Sequence, residues 1–294
     1  MVIKIKNLTY NYSGSKKEAL RNINLDIYDG EFCCIIGKNL AGKSTLCYTI
    51  AGFIPHFFKG KMEGRVLIDD LDTKNLPLYK IITNVGLVLQ NPFNQLSGSK
   101  FTVFEEVAFS LENLGISQNE MKGRVEEILK KTKIYDLRDR SPYTLSGGQM
   151  QMVAIASILV MRPKILILDE PTSQLDPINS KLIFSLVEEL NREGITVIIV
   201  EHKIEEITEF ANRILLIDDG EIILDESPNE IFNSLKKYEN YIKYMRPPVY
   251  VQLFQKMEEV GFWKRTDNYP ITFKQARKEF ELTMNFKQVK KNLG

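Results

Sequence analysis

The sequence contains few of the residues that build disulfide frameworks and metal centres. Its 294 residues include three cysteines and two histidines. Cys33 and Cys34 fall on an apolar run and Cys47 on a helical one, and their odd number argues against a disulfide or metal set. We therefore expect reduced cysteines in the core of a cytosolic protein.

Long apolar runs are also missing from the sequence. No stretch approaches the ~20 apolar residues that a membrane-spanning helix needs. Residues 1–10 lack the apolar core of a secretory signal peptide. Apolar residues make up 44% of the chain and charged residues 26%, which is ordinary for a soluble globular protein. The length allows a large core and one or two domains.

Residues 37–44, GKNLAGKS, fit the phosphate-loop pattern G-x-x-x-x-G-K-[ST]. The flanking residues predict a buried strand before this loop and a helix after it. Its two glycines allow tight turns that aim backbone N–H groups at an anion. We expect Lys43 to reach the β- and γ-phosphates of a nucleotide and Ser44 to bind Mg²⁺. The residues expected to bind the nucleotide in this segment are Gly37, Lys38, Asn39, Leu40, Ala41, Gly42, Lys43, Ser44 and Thr45.

A second apolar run, residues 165–168, ends in two carboxylates, Asp169 and Glu170. A buried strand of a parallel sheet has this pattern, and ligands bind at its C-terminal end. Asp169 would hold Mg²⁺ directly or through water, and Glu170 would orient and polarise the attacking water. In isolation, the same pattern also suits a strand followed by a solvated acidic turn.

The motif LSGGQ at residues 145–149 accompanies the phosphate loop. The pair resembles the ATP-binding-cassette (ABC) family, in which LSGGQ completes the site of a second subunit. Asp169 also follows this motif at the interval of the family pattern. The resemblance implies ATP as the nucleotide and a second ABC ATPase subunit, identical or different, as partner. The residues so implied are Ser146, Gly147, Gly148 and Gln149.

Further segments resemble ABC motifs in the family's order. Gln90 resembles the Q-loop glutamine, which touches Mg²⁺ and the lytic water. Asp176 ends a segment similar to the D-loop and is included among the nucleotide-binding residues. His202 follows an apolar strand and resembles the switch histidine, which contacts the γ-phosphate. Tyr12 resembles the aromatic residue that stacks on adenine, although Tyr10 lies on the same predicted strand.

Three residues depart from the family's pattern. Leu40 stands where a Gly or Ser is usual, which affects the loop geometry. Gln174 stands where the D-loop usually has Ala. Phe93 stands where an Asp is usual, near the groove for a membrane partner. Phe93 cannot form the ion pair expected there, so Glu105 or Glu106 is expected to replace the missing acid. The alternative is that Phe93 lies in the core and the glutamates are solvated.

Residues 1–235 carry all of these motifs and predict an α/β fold, the ABC cassette of a P-loop NTPase. Alternating strand-like and helical runs favour a mostly parallel sheet. We expect an antiparallel β subdomain, formed by residues 2–35 and 61–70. Residues of about 100–160 predict helices, at the place of the family's helical subdomain.

The composition changes beyond residue 235. Residues 236–294 hold 13 basic and 6 acidic residues. We expect a small C-terminal helical appendage there, with a helix at 249–260 after Pro247-Pro248. One face of that helix is predicted to comprise Val251, Phe254 and Met257. A basic, aromatic tail could also suggest nucleic acid, but no nucleic-acid motif accompanies it.

Softer patterns resemble the ATPases of energy-coupling-factor (ECF) transporters. They are QNPFNQ at 90–95, TVFEEVAFSLENLG at 102–115, and the C-terminal segments at 247–262 and 270–272. This resemblance implies an ATPase bound peripherally at the cytoplasmic face of the cell membrane. It would power import of a vitamin or transition-metal ion through an integral membrane scaffold protein and a substrate-binding membrane protein.

Two other functions remain open from the sequence. One is the ATPase of a conventional ABC transporter, and the other is a soluble ABC regulator. Nucleic-acid members of the family place a long coiled coil between the Q-loop and LSGGQ. The interval from Gln90 to Ser146 is too short for one, so no nucleic-acid partner is expected.

Overall fold

A computed structural model describes residues 2–234, 236–241, 244–265 and 268–292. Within them, ten strands form two sheets. The strands are β1 Ile3–Tyr12, β2 Leu20–Ile27, β3 Phe32–Gly37, β4 Gly60–Ile68, β5 Leu71–Asp72, β6 Val85–Val88, β7 Ile165–Asp169, β8 Thr196–Val200, β9 Arg213–Asp218 and β10 Glu221–Glu226. The domain boundary predicted at residue 235 lies outside the described residues.

Along the chain, most of the helices occur in the segments that connect one strand to the next. They are α1 Lys43–Ile50, α2 Phe53–His56, α3 Leu78–Ile82, α4 Val103–Asn113, α5 Gln118–Lys131, α6 Gly147–Leu159, α7 Pro177–Arg192, α8 Ile204–Phe210, α9 Pro228–Asn233, α10 Val249–Glu259 and α11 Phe273–Asn292. Among the residues described, no helix combines the length and apolar character needed to span a bilayer.

The larger sheet has the strand order β10-β9-β3-β8-β7-β6, with β10 alone antiparallel to its neighbour. Every residue of β3, β7 and β8 is buried. Strands covered by helices on both faces have such continuous apolar sequences. The mostly parallel α/β fold expected from the sequence is therefore confirmed.

The smaller sheet is antiparallel and has the order β2-β1-β4-β5. It confirms antiparallel structure at residues 3–27 and 60–72. The prediction that this structure continues to residue 35 is wrong. Residues from Phe32 onward form β3, which pairs in parallel with β8 and β9 because its side chains are apolar on both faces.

Helices α4, α5 and α6 form the helical region expected between residues 100 and 160. Two of them begin with reciprocal capping boxes, which pair Thr102 with Glu105 at α4 and Ser146 with Gln149 at α6. Nine of the thirteen residues of α6 are buried, because the helix packs against α4 and against the sheet at β6.

The predicted helix near residue 249 is observed as α10. Val251, Phe254 and Met257 are its buried residues, as the spacing predicted. The Phe254 ring meets Trp263 edge to face, with centroids 5.0 Å apart. The three cysteines are also buried and free, as expected.

A close contact between β6 and α6 provides a test of the packing. A Cβ added to Gly86 would lie 2.2 Å from Cγ2 of Ile158, a β-branched side chain with little freedom to move. Gly86→Ala should therefore lower the free energy of unfolding by about 1–3 kcal/mol.

Gly123 on α5 is the matched control, because no atom lies within 4 Å of an added Cβ. Gly123→Ala should raise the free energy of unfolding by about 0.5–1 kcal/mol through helix propensity. Urea denaturation of both variants measures these changes. Equal stabilities of the two variants would contradict the packing described here.

Candidate nucleotide-binding site

The phosphate loop connects β3 to α1 and turns at two glycines with positive φ. A Cβ on Gly37 would lie 2.1 Å from the Ile217 carbonyl oxygen, and one on Gly42 would lie 2.6 Å from that of Ala19. Close backbone approach therefore requires both glycines. Leu40 adopts a left-handed conformation, with φ 64°, and its side chain is 98% exposed. This departure changes the surface of the loop and leaves its glycine turns intact.

The Lys43 side chain is folded back over this loop. Its Nζ donates hydrogen bonds to the carbonyl oxygens of Gly37, at 2.9 Å, and Lys38, at 3.0 Å. The side chain is only 5% exposed. Burial lowers the pKa of the Lys43 ammonium, and the carboxylates of Glu170 and Asp169 oppose that shift. A cation is thus held ready for an anion at the loop.

A cavity of about 560 Å³ opens beside the loop, a size suited to a small-molecule ligand. Tyr12 lines this cavity, and its hydroxyl lies 3.2 Å from that of Thr45. Tyr10 instead is fully buried and donates to the Lys59 carbonyl oxygen. Of the predicted residues, the cavity is lined by Tyr12, Asn39, Leu40, Gly42, Lys43, Ser44, Thr45, Gln90 and Glu170.

Some lining residues carry no sequence motif. Lys17 and Glu18 come from the connection between β1 and β2, and Gly220 comes from the turn between β9 and β10. Lys17 also forms an ion pair with Asp219 of that turn, at 2.8 Å. Only the pairing of distant segments brings these residues to the cavity, so no local pattern could have identified them.

Asp169 ends β7 and is 4% exposed. Its Oδ1 is buried without a hydrogen-bond partner among the described residues. Burial raises the pKa of the Asp169 carboxyl, and a hydrogen bond from Ser44 opposes the shift. A buried carboxylate oxygen with spare acceptor capacity, next to a hydroxyl, fits a hard cation such as Mg²⁺.

Glu170 lies at the centre of the polar contacts. Its backbone is left-handed, with φ 48°. Its Oε2 accepts a hydrogen bond from Nε2 of Gln90 at 2.8 Å. Its Oε1 lies 3.3 Å from Nε2 of His202 and 3.8 Å from Nζ of Lys43. Residues from three other motifs therefore meet at the Glu170 carboxylate.

The LSGGQ residues and Asp176 do not line this cavity. Ser146 and Gln149 cap each other at the start of α6. A Cβ on Gly148 would lie 2.6 Å from the Asn179 side chain, so a larger residue there would displace that side chain of α7. Asp176 caps α7 by accepting from the backbone N–H groups of Ile178 and Asn179. The structure thus separates two predicted groups of site residues within one chain.

The loop after Gln90 rules out the alternative for Phe93 and contradicts the expectation for Glu106. Phe93 is 57% exposed, so it does not lie in the core. Glu106 is not available to a partner. It is 4% exposed, and its oxygens accept from the Ser97 N–H at 2.7 Å and hydroxyl at 2.8 Å. Glu105 is exposed but caps α4 and accepts from the Phe101 N–H. Glu105 is therefore hydrogen-bonded at the start of α4, and Glu106 is hydrogen-bonded to the loop at Ser97.

Comparison with known proteins gives consistent results. The sequence model of the ABC transporter family matches residues 20–173. A putative ABC transporter ATP-binding protein of Pyrococcus abyssi is 43% identical, covering 90% of this chain and 93% of its own. The energy-coupling factor transporter ATP-binding protein EcfA1 of Clostridium novyi is 43% identical, covering 81% of this chain and 84% of its own.

A solved structure has the same fold. It is cbiO1 from Clostridium perfringens, part of the ABC transporter complex cbiONQ. The two structures have a TM-score of 0.71 and 35% sequence identity, over 86% of this chain and 98% of that one.

Proposed function

The chain belongs to the ABC transporter family as an ATP-binding ATPase, and on this premise we propose that it powers an importer of the ECF type. The meeting of Lys43, Gln90 and His202 at the Glu170 carboxylate carries the proposal for hydrolysis. The similarity to EcfA1 and to cbiO1 supports the ECF type. A vitamin or a transition-metal ion is the proposed cargo, which this chain does not contact.

The phosphate loop is proposed to bind the ATP phosphates. Its backbone N–H groups and the N-terminus of α1 attract negative charge. The Lys43 ammonium would exchange its bonds to the loop carbonyls for bonds to the β- and γ-phosphates. Tyr12, which lines the same cavity, would stack on adenine. These contacts bind and orient the nucleotide before any bond is broken.

Mg²⁺ is the proposed metal. Ser44 would ligate it, with Asp169 and Gln90 binding directly or through water. When bound, it neutralises charge on the phosphate oxygens. The unpartnered Oδ1 of Asp169 supports this assignment, since Mg²⁺ sites commonly combine one or two carboxylates with substrate phosphates.

Glu170 is proposed to orient and polarise the attacking water. The water oxygen would bond to the γ-phosphorus as the bond to the bridging oxygen of ADP breaks. Gln90 and His202 hold the two Glu170 oxygens from different sides, which limits the orientations of the carboxylate. His202 would contact the γ-phosphate. Positioning and charge, rather than covalent chemistry, account for the rate.

A second cassette is proposed to complete the site. Ser146, Gly147, Gly148 and Gln149 lie outside the cavity of their own chain. The N-terminus of α6 presents N–H groups suited to an anion, which would be the γ-phosphate bound to the other cassette. A second copy of this chain and a related subunit both fit this geometry as the partner. Closure on two ATP molecules and reopening after hydrolysis would drive transport.

Substitution at Glu170 tests the hydrolytic assignment. Glu170→Gln should retain ATP binding but reduce turnover by about a hundred- to a thousandfold or more, because charge at the water is lost. Lys43→Ala should weaken ATP binding itself. Phosphate release and equilibrium binding of labelled ATP measure the two effects. Glu127→Gln, an exposed glutamate paired with Arg162, is the control. Near-normal turnover in Glu170→Gln would remove its assigned role.

Exposed Phe93 is proposed to contact the membrane scaffold protein, at the cytoplasmic face of the membrane. Phe93→Ala should reduce the amount of scaffold protein that copurifies with this chain, while its ATPase activity stays unchanged. Phe280→Ala, at an exposed phenylalanine of α11, is the matched control.

Copurification from membranes with the wild-type chain also tests the ECF assignment. An ECF ATPase should bring down a polytopic scaffold protein and a solute-binding membrane protein. A conventional transporter would yield a different permease, and a soluble regulator would yield neither. Scaffold binding that is equal in Phe93→Ala and Phe280→Ala would refute the contact.

A further inference from the structure

The residues on both sides of His202 contact a single threonine, Thr172. The Thr172 hydroxyl donates a hydrogen bond to Oε1 of Glu201. The Thr172 carbonyl oxygen accepts one from Nζ of Lys203, at 3.2 Å. Thr172 is fully buried and lies two residues after Glu170. Two hydrogen bonds at Thr172 therefore join the segment that carries Glu170 to the segment that carries His202.

The Glu201 carboxylate also orders the histidine segment itself. Its Oε2 accepts from the backbone N–H of His202, at 2.9 Å, and more weakly from that of Lys203, at 3.4 Å. Glu201 is only 3% exposed. A buried carboxylate is costly unless such donors satisfy it, and an apolar residue would fill the same space at less cost. The hydrogen bonds that the Glu201 carboxylate accepts, and not the volume of its side chain, therefore account for a glutamate at this position.

Strand pairing does not account for these contacts. The β7–β8 register ends at Asp169 opposite Val200. Glu170, Thr172, Glu201 and His202 all lie beyond that last pair. Lys203 extends the connection to α7 by donating to the Ser180 hydroxyl, at 2.8 Å. Backbone hydrogen bonds continue for one residue on each segment, from the Glu170 N–H to the Val200 carbonyl oxygen at 3.1 Å and from the Glu201 N–H to the Ile35 carbonyl oxygen at 3.3 Å. The side-chain hydrogen bonds at Thr172 join the two segments to each other beyond these points.

We propose that Thr172, Glu201 and Lys203 are positioning residues that set the 3.3 Å distance between His202 and Glu170. The inference rests on the proposed roles of those two residues in ATP hydrolysis. None of the three needs to touch ATP. A shift of about 1 Å between groups that act on the same reacting atoms can cost about a hundredfold in rate.

Removal of the Thr172 hydroxyl tests this inference. Thr172→Val should lower kcat by about ten- to a hundredfold and leave KM for ATP unchanged, because the phosphate loop is untouched. Thr172→Ser keeps the hydroxyl and should retain the wild-type kcat. Thr208→Val is the matched control, since Thr208 is also buried but its hydroxyl bonds within α8. Steady-state ATPase assays compare these variants with the wild type.

A His202→Ala background shows whether the effect passes through the histidine. In that background, Thr172→Val should cause no further fall in kcat. Glu201→Gln should also lower kcat, and its combination with Thr172→Val should be less than additive. Glu201→Gln supplies the same test if Thr172→Val does not fold, as thermal denaturation would reveal.

Several results would overturn the inference. The first is a kcat of Thr172→Val equal to that of Thr208→Val. The second is a rise in KM of Thr172→Val without a fall in kcat. The third is a fall in kcat caused by Thr172→Val that is as large in the His202→Ala background as in the wild type. A fully active His202→Ala would overturn it together with the proposed role of the histidine. A fully active Glu170→Gln would mean that the hydrolytic assignment has failed, whether or not Thr172→Val lowers kcat. A wild-type kcat in Thr172→Val beside an inactive Glu170→Gln would mean that only the positioning inference has failed.

Discussion

The parallel pairing of β3, β8 and β7 is the constraint on which the site depends. Val200 lies opposite both Ile35 and Asp169. The phosphate loop, the acidic pair and the histidine segment therefore all begin at one edge of the sheet, although they are far apart in sequence. Glu170 leaves this edge in a left-handed conformation that is uncommon for a side-chain-bearing residue. Such a conformation at a site of convergent polar groups is typical of functional positions.

In the proposed function, the site is incomplete in one chain. The groups proposed to bind ATP and to orient the water lie at the sheet edge, whereas the LSGGQ residues do not line the cavity there. At the phosphate loop, Gly37 and Gly42 are required by close contacts with backbone carbonyl oxygens. A site divided in this way would couple ATP binding to the association of two cassettes.

Local patterns in the sequence predicted much of the fold and of the site. Continuous apolar runs identified β3, β7 and β8, and the glycine spacing identified the phosphate loop. Long-range contacts decided what the patterns could not. Glu106 reads as a solvated residue at a helix start, yet the loop at Ser97 folds back onto it. Thr172 and Glu201 belong to no motif that predicts their contact, because only the parallel register brings their segments together.

The central claim is that ATP joins two cassettes across a divided site. Sedimentation of the Glu170→Gln variant, with and without ATP and Mg²⁺, tests it most directly because slow hydrolysis preserves the bound state. The account predicts a monomer without nucleotide and a dimer with it, formed by this chain alone or with a cassette subunit that copurifies with it. A single unchanged mass under both conditions, for the chain alone and for that mixture, would contradict the account.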